Sequence, residues 1–495
     1  MWEHVVSWAS RSNVRQLVLC CAVVAGVMCA SLTTRAAEPT SGLAADPAVD
    51  PVIGDERAVT YHPDHAQVAA LPVDQAIGIG RHLFEARFTR LDGVGRPAAT
   101  QSEIPTRRVP GNFPPFFRTS GPEANSCRGC HNQPSVGGAG DFVANVFVSD
   151  GISDADFDSL DPQFSNERGT VAINGAGFVE LLAREMTREL QAQRQAGLQQ
   201  ARTTGKSQRV ALTSKGVSFG FVTLDPDGFV DIREIQGVDH DLVIRPFSQK
   251  GVFSSLRQFT INALNAHHGM QADERYGAQW TGTPDFDGDG KAKEISTGDV
   301  TALVLFQASL PTPVRRLPAA PVLRAAVATG KQVFAEVGCP TCHRTSLPLT
   351  SSIFAEPNPL NTAGTLRPSE TARPALLQLD RSGFEKNAAG QILVPLFSDL
   401  KRHRIADEDH PYFANELLGQ RFVGRDVFIT PRLWGVGDTA PYGHRGDLTT
   451  LREAILQHGG EAASARKAFE GRPRADRNAV IEFLKHLRLP TGSAS

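Results

Sequence analysis

Tyrosine, tryptophan and methionine are scarce in this 495-residue chain, with four of each against 27 phenylalanines. Few thioethers are therefore on hand as metal ligands, and each Tyr or Trp is worth locating individually. An excess of charge of either sign is also missing. Lys and Arg number 51, Asp and Glu 53, for a net −2, which argues against nucleic acid or an anionic membrane as partner. The apolar run Leu17–Leu32 falls short of the ~20 residues that span a bilayer. Arg11 and Arg15 precede it and "TTRAAEP" follows. This is the layout of a cleaved export signal with the cut after Ala36. An uncleaved anchor is the alternative, and a lipoprotein site at Cys20 or Cys29 lacks its small-residue box.

Cysteine becomes scarcer still once the leader is removed. Of seven cysteines, Cys20, Cys21 and Cys29 leave with the signal. Cys127, Cys130, Cys339 and Cys342 remain, too few for a general disulfide framework. They stand in "SCRGCHNQP" and "GCPTCHRTS", each a Cys-x-x-Cys-His run. On a helical turn two sulfurs three residues apart share a face, and a histidine at the fourth position joins them. That arrangement suits a porphyrin edge, with two thioethers and an axial imidazole, and it is the signature of c-type haem attachment. A thioredoxin-like pair wants a βαβ context, a zinc site needs four converging ligands, and two plain disulfides remain open in an oxidising compartment. Two such motifs in an exported chain favour two covalent haems, with His131 and His343 as proximal ligands.

A weak repeat flanks the motifs. Gly80 and Phe84 in "GRHLFEARF" match Gly330 and Phe334 in "GKQVFAEVGCPTCH", although a proline-rich insertion near residues 93–121 separates the first pair from its haem motif. The expected fold class is mainly α: two cytochrome c-like domains, the first with long loop and small β insertions. The expected organisation is a signal peptide at 1–36, a flexible lead at 37–72, an N-terminal cytochrome c-like domain at 73–310, a linker at 311–321 and a C-terminal cytochrome c-like domain at 322–490. Helical periodicity is clearest from Gly175 to Thr204, with Val179, Leu182 and Met186 on one stripe. "VALTSKGVSFGFVTLDPDGFVDI" reads as a small antiparallel excursion.

What stands opposite each iron separates a carrier from a catalyst. The mature chain offers only Met186 and Met270 as thioethers. Met186 sits on an apolar stripe, so Met270, following "NAHHG", is the leading distal candidate for the first haem. His267, His268 or an open iron are the alternatives. No methionine follows Cys342, and the second haem must choose among His403, His410, Tyr412, Tyr442, His444, His458 and His486. In the catalytic reading His267 or His268 serves as an acid–base group. Trp434 is either a relay between haems or packing against a porphyrin edge.

Several of these residues crowd into "TPRLWGVGDTAPYGHRGDLTTLREAILQHGGEA", Thr430–Ala462. That stretch, together with both haem motifs, resembles bacterial di-haem cytochrome c peroxidases and MauG-type proteins. With "LWG", "EAILQHGGEA" and the upstream "RPFSQKG", it is nearer to the di-haem oxidoreductases labelled peroxidases or thiol oxidoreductases. The resemblance runs from about Ala76 to Leu489. It implies that His458, ending the Thr-Leu helix, is the distal ligand of the second haem. His444-Arg445-Gly446 departs from the family's His-Asp-Gly and lacks its carboxylate.

"DFDGDGKAKEIS", Asp285–Ser296, has acids at loop positions 1, 3 and 5 and glycine at 6, as in an EF-hand. Ser296 replaces the closing acid and Glu294 arrives two residues early. Asp285, Asp287, Asp289 and Glu294 are thus candidate calcium ligands, and a solvated acidic turn is the alternative. The chain is expected to be a periplasmic di-haem c-type cytochrome, peroxidase-like, passing electrons between its haems, with a small donor protein or cytochrome and peroxide or another small oxidant as partners. No nucleic acid and no stable membrane span are expected. The rivals are a pure electron-transfer protein with both irons six-coordinate, a thiol–disulfide enzyme, and a protein-modifying enzyme of the MauG kind.

Overall fold

Seven helices position the candidate site: α1 (Val73–Glu85), α2 (Ala176–Thr204), α3 (Leu256–Ala263), α4 (Thr297–Ser309), α5 (Pro321–Glu336), α6 (Leu451–Leu456) and α7 (Arg474–Lys485). The computed structural model of the chain describes residues 53–95, 125–148, 165–416 and 420–491. The expected leader at 1–36 and most of the proline-rich insertion lie outside the described residues. Every described residue belongs to the compact unit Ala45–Ser495.

The weak sequence repeat is a repeated helix crossing. In α1 the buried residues Ala76, Gly80, Leu83 and Phe84 share one face, at the spacing of an amphipathic helix. A Cβ on Gly80 would lie 1.9 Å from the carbonyl oxygen of Ala302 in α4, and one on Gly330 of α5 would lie 1.9 Å from that of Ala479 in α7. Only glycine allows either pair of helices so close. Beside each crossing two phenylalanines meet, Phe84 with Phe306 at 5.2 Å between ring centroids and Phe334 with Phe483 at 5.5 Å. α4 is capped by Ser296, whose Oγ accepts from the Asp299 amide while Asp299 accepts from the Ser296 amide. Such a cap is worth about 1 kcal/mol.

α2 presents Val179, Leu182, Met186 and Leu190, all fully buried. A three-stranded antiparallel sheet, β1 (Gln208–Ser214), β2 (Val217–Leu224) and β3 (Val230–Asp231), packs against its C-terminal half. A Cβ on Gly197 of α2 would already lie 2.5 Å from Val210. Buried charge is paired rather than left alone: Arg257 meets Glu274 and Glu356, each at 2.9 Å, and Arg184 pairs with Glu180. Removing one partner of such a pair costs about 3–5 kcal/mol.

The expectation of a mainly α chain is overturned. Strands and helices are mixed, and the described residues form six small sheets, none exceeding three strands. Between α5 and α6 the chain runs almost wholly as loops and short antiparallel pairs: Leu347–Leu349 with Ile392–Val394, Ile353–Glu356 with Ala375–Gln378, and Arg402–Arg404 with Val427–Ile429. A hairpin, Gly140–Val148 with Ser165–Thr170, follows the first Cys-x-x-Cys-His motif. These segments are short, proline-punctuated and apolar at alternate positions, as Ile392 and Val394 are. Two- to four-residue runs of that kind bury through a period of 2, where a helix needs a longer run of period 3.6.

Candidate functional site

Each motif folds as a single turn that presents its histidine inward. Cys127–Cys130 is one helical turn, and the His131 amide donates to the Cys127 carbonyl at 3.0 Å. Cys339–Thr341 is a 3-10 turn entered through Gly338 at φ 89°, and the His343 amide donates to the Cys339 carbonyl, also at 3.0 Å. None of the four cysteines is in a disulfide, and burial pushes the Cys127 and Cys339 thiols up to about 12. Gly140 closes over the first turn so tightly that a Cβ would sit 1.9 Å from the Cys130 carbonyl oxygen.

A carbonyl oxygen only accepts, so it fixes the tautomer of a histidine bonded to it. His131 donates from Nδ1 to the Gly138 oxygen at 3.3 Å, and His343 from Nδ1 to the Phe397 oxygen at 3.1 Å. In His343 Nε2 keeps the lone pair that a metal needs, while His131 has a second backbone carbonyl, that of Val171, within its reach. Burial, only partly offset by those carbonyls, lowers both histidines to about 4, so both are neutral at pH 7. Phe397 is held at φ 54° to deliver its carbonyl, a left-handed conformation that costs a non-glycine residue on the order of 1–3 kcal/mol.

The second pocket gathers its opposing group from α6. His458 follows that helix, donates from Nδ1 to the Ala454 oxygen at 2.7 Å, and is clamped by Arg466, whose Nε donates to the His458 carbonyl at 2.8 Å. Its ring is close enough for its charge to be the first influence, after burial, lowering His343. Of the other named candidates, His403, His486, Tyr412 and Tyr442 have their side chains engaged elsewhere, while His444 lines the same cavity as His458. His403 pairs with Asp399 at 2.8 Å and Glu461 at 2.7 Å, and His486 with Glu482 at 2.9 Å. Tyr412 donates to Asp447, Tyr442 donates to the Val436 oxygen, and His410 is half-buried with its amide on Asp407. Burial opposes charge on His403, but hydrogen bonds to Asp399, Cys342 and Glu461 outweigh it and raise the ring to about 11. A cationic imidazolium thus stands beside Cys342.

In the first pocket the opposing groups come from a π-helical turn, Leu264–His268, that continues α3. Single π turns inside helices recur at functional sites. His268 Nε2 lies 3.8 Å from Cys127 Sγ, and Phe88 packs on its ring. His267, the neighbour of His268 on that turn, is half-buried. Burial first, then the charges of His268 and His131, lowers it to about 3, and its Nδ1 has no hydrogen-bond partner among the described residues. Met270 is fully buried within the large apolar cluster that also holds Leu264 and Ala272.

A cavity of about 470 Å³ is lined by residues of both motifs, including His131, Cys339, His343, His458, Arg432 and Trp434. That lies within the usual range for small-molecule and cofactor sites. Trp434 is buried, and its ring would lie 2.6 Å from a Cβ on Gly175, which adopts φ 74°. Two half-buried cysteines without a disulfide and an adjacent histidine at each motif, with His458 near His343 and His267 near His131, fit a haem at each.

One residue lining the same cavity, His444, belongs to a polar cluster assembled from distant segments. Glu416, Lys250 and Arg168 gather around it, fully buried or nearly so. His444 Nε2 is 3.2 Å from Glu416, yet burial, then Arg168 and Lys250, lowers it to about 2 and keeps it neutral. Nothing local in the sequence around Glu416 signals a site, whereas Arg432 lies within the singled-out stretch Thr430–Ala462 without itself being marked there. At the acidic loop, Asp285, Asp287 and Asp289 bring carboxylate oxygens within 4.8 Å of one another. Glu294 lies beneath them, accepting from the Gln271 amide at 2.8 Å, and burial followed by Asp287 raises it well above the usual range. Ser296 is occupied in capping α4.

Residues 386–487 match the family described as "Di-haem oxidoreductase, putative peroxidase", and over that stretch the chain resembles di-haem oxidoreductases. No curated protein matches the chain. Among solved structures, a hydrazine synthase of Kuenenia stuttgartiensis pressurised with xenon is similar at 14% identity and a TM-score of 0.34, over 89% of this chain and 99% of that one. A MauG-like protein associated with microbial copper homeostasis is similar at 15% identity and a TM-score of 0.26, over 54% of this chain and 80% of that one. No helix among the described residues is long and apolar enough to cross a membrane.

Proposed function

We propose that the chain is an exported, periplasmic di-haem c-type protein that acts as a peroxidase-like oxidoreductase, with haem thioethers at Cys127, Cys130, Cys339 and Cys342. One observation carries the reading. At both motifs the histidine spends Nδ1 on a backbone carbonyl, and His343 keeps Nε2 for a metal. Haem, when bound, supplies the electron storage and the oxidant-binding iron. The residues supply position: His131 and His343 ligate from one side, and His458 ligates opposite His343. His267, neutral and without a partner at Nδ1, is either the ligand opposite His131 or, once released by its π-helical turn, the acceptor of a proton from peroxide. His268 lines the same pocket as a second proton carrier. Trp434, buried in the wall shared by both motifs, relays electrons between them. The electron source is a small donor protein or cytochrome. Calcium, bound by Asp285, Asp287, Asp289 and Glu294, would neutralise the buried Glu294 beside the first pocket.

A second reading rests on the imidazole found near each motif histidine: both irons six-coordinate, and the chain a carrier only. Electron paramagnetic resonance of the holoprotein separates the two. A high-spin signal that appears or grows on half-reduction supports peroxidase chemistry. Two low-spin signals that persist unchanged overturn it in favour of the carrier. Intact mass without two added haems would overturn both.

A further inference from the structure

Among the described residues the fully buried arginines are matched to acids, and the half-buried Arg432, which lines the cavity, is not. Arg257 meets Glu274 and Glu356, Arg184 meets Glu180, and Arg168 lies 2.5 Å from Glu416. Arg432 makes no ion pair among the described residues. Its Nη2 donates to the Ala172 carbonyl at 3.1 Å, and among the described residues no other hydrogen bond engages it. A guanidinium carries five N–H donors in a rigid fork that matches a carboxylate, so most of its capacity is unspent. Burial lowers Arg432 to about 10, and no acidic neighbour offsets that effect. A buried charge that lacks a partner is strongly unfavourable, so the absent counter-ion is best sought in the space Arg432 faces. That space is the cavity lined by His131 and His343.

We propose that Arg432 is a haem-positioning residue that binds a propionate carboxylate through its guanidinium fork. The inference rests on the di-haem reading, since a haem tethered at its vinyl edge must place its two propionates elsewhere in the cavity. Arg432 precedes Leu433, which packs on the apolar cluster around Phe334 and Phe397, while its hydrogen-bond partner Ala172 lies in the segment leading to α2. The side chain therefore ties a haem edge to the seam between the two motifs. A free anion could in principle fill the same fork. The propionate is favoured because Cys339, Cys342 and His343 line the same cavity, so a haem held there would bring its carboxylates with it.

The test uses holoprotein purified from a host that matures c-type cytochromes. Arg432→Gln can still donate to the Ala172 carbonyl but carries no charge, whereas Arg432→Lys keeps the charge and loses the fork. In a spectroelectrochemical titration Arg432→Gln should lower the reduction potential of one haem by about tenfold in its equilibrium constant, or ~59 mV for one electron. Arg432→Lys should hold the potential nearer the parent's. Its resonance Raman propionate-bending band should nevertheless shift for one haem, which keeps the test open if the glutamine variant does not fold. Unchanged potentials in Arg432→Gln, or an unchanged bending band in Arg432→Lys, overturn the proposal. So does a parent potential that follows added acetate or bicarbonate, which would assign the fork to a free anion. Parent protein without two haems would instead sink the di-haem reading.

Discussion

The two Cys-x-x-Cys-His pockets begin alike and end differently. On the motif side, each has a one-turn helix, an imidazole whose Nδ1 is committed to a carbonyl, and a glycine–phenylalanine helix crossing behind it. On the far side, the second pocket has one well-braced histidine, His458, fixed by Ala454 and Arg466. The first has two histidines on a π turn, one touching Cys127 and the other without a partner at Nδ1. The second also carries its own cation, His403 beside Cys342, whereas the first stands near a buried carboxylate, Glu294. Where the chemistry is dictated by local geometry the pockets converge. Where opposing groups arrive from distant segments they are free to differ, and that freedom is where the functions of two haems can be divided.

The largest effect should come from removing the shared part. Cys127→Ser/Cys130→Ser and Cys339→Ser/Cys342→Ser should each lose one of two haems by intact mass and absorbance, and retention of both haems by either variant would break the symmetry at its root. The difference between the far sides should appear next. His458→Ala should convert one low-spin ferric haem to high spin and leave the other unchanged. His267→Ala should do so only for the first haem, and only if that iron is six-coordinate. If His458→Ala leaves the spectrum intact, the bracing by Ala454 and Arg466 serves structure alone.

The acidic loop sharpens the contrast further. A carboxyl raised in the folded state favours its protonated form there, so the stability it contributes is full below the unfolded value of about 4.3 and is lost as pH rises through the folded value. With calcium chelated, Glu294→Gln should therefore stabilise the protein at pH 7 by an amount on the order of 1 kcal/mol, read by thermal denaturation. With calcium present the sign should reverse, because the variant loses a ligand. Stabilisation by the variant under both conditions would remove calcium from the first pocket. The smallest effect is expected at Met270, fully buried in the apolar cluster. Met270→Leu should cost under about 1.5 kcal/mol and leave the visible and magnetic spectra of both haems unchanged. A change of axial ligation there would show the thioether reaching the iron after all.

Much of this was legible in sequence order. The long helix α2 and the small sheet that follows it come from patterns running over twenty residues or more, enough for periodicity to speak. The mixed class was not legible, since two- to four-residue strands such as Ile392–Val394 carry no period of their own and exist only through pairing with Leu347–Leu349, far away in the chain. Glu416, Lys250 and His444 were invisible as a group for the same reason: more than 160 residues separate Lys250 from Glu416, and only folding brings them to 3.5 Å.

By itself the sequence determined the two cysteine pairs and the adjacent imidazoles, because their chemistry depends on three or four consecutive residues on one turn. It also determined the glycines at the two helix crossings, since no other residue permits that approach. The tertiary structure alone decided how the groups around each histidine are held: His458 braced by Ala454 and Arg466, His267 without a partner at Nδ1 and Arg432 without an acid among the described residues. Those placements depend on the packing of segments separated by tens to hundreds of residues, where burial and charge compensation rather than local geometry select the neighbour.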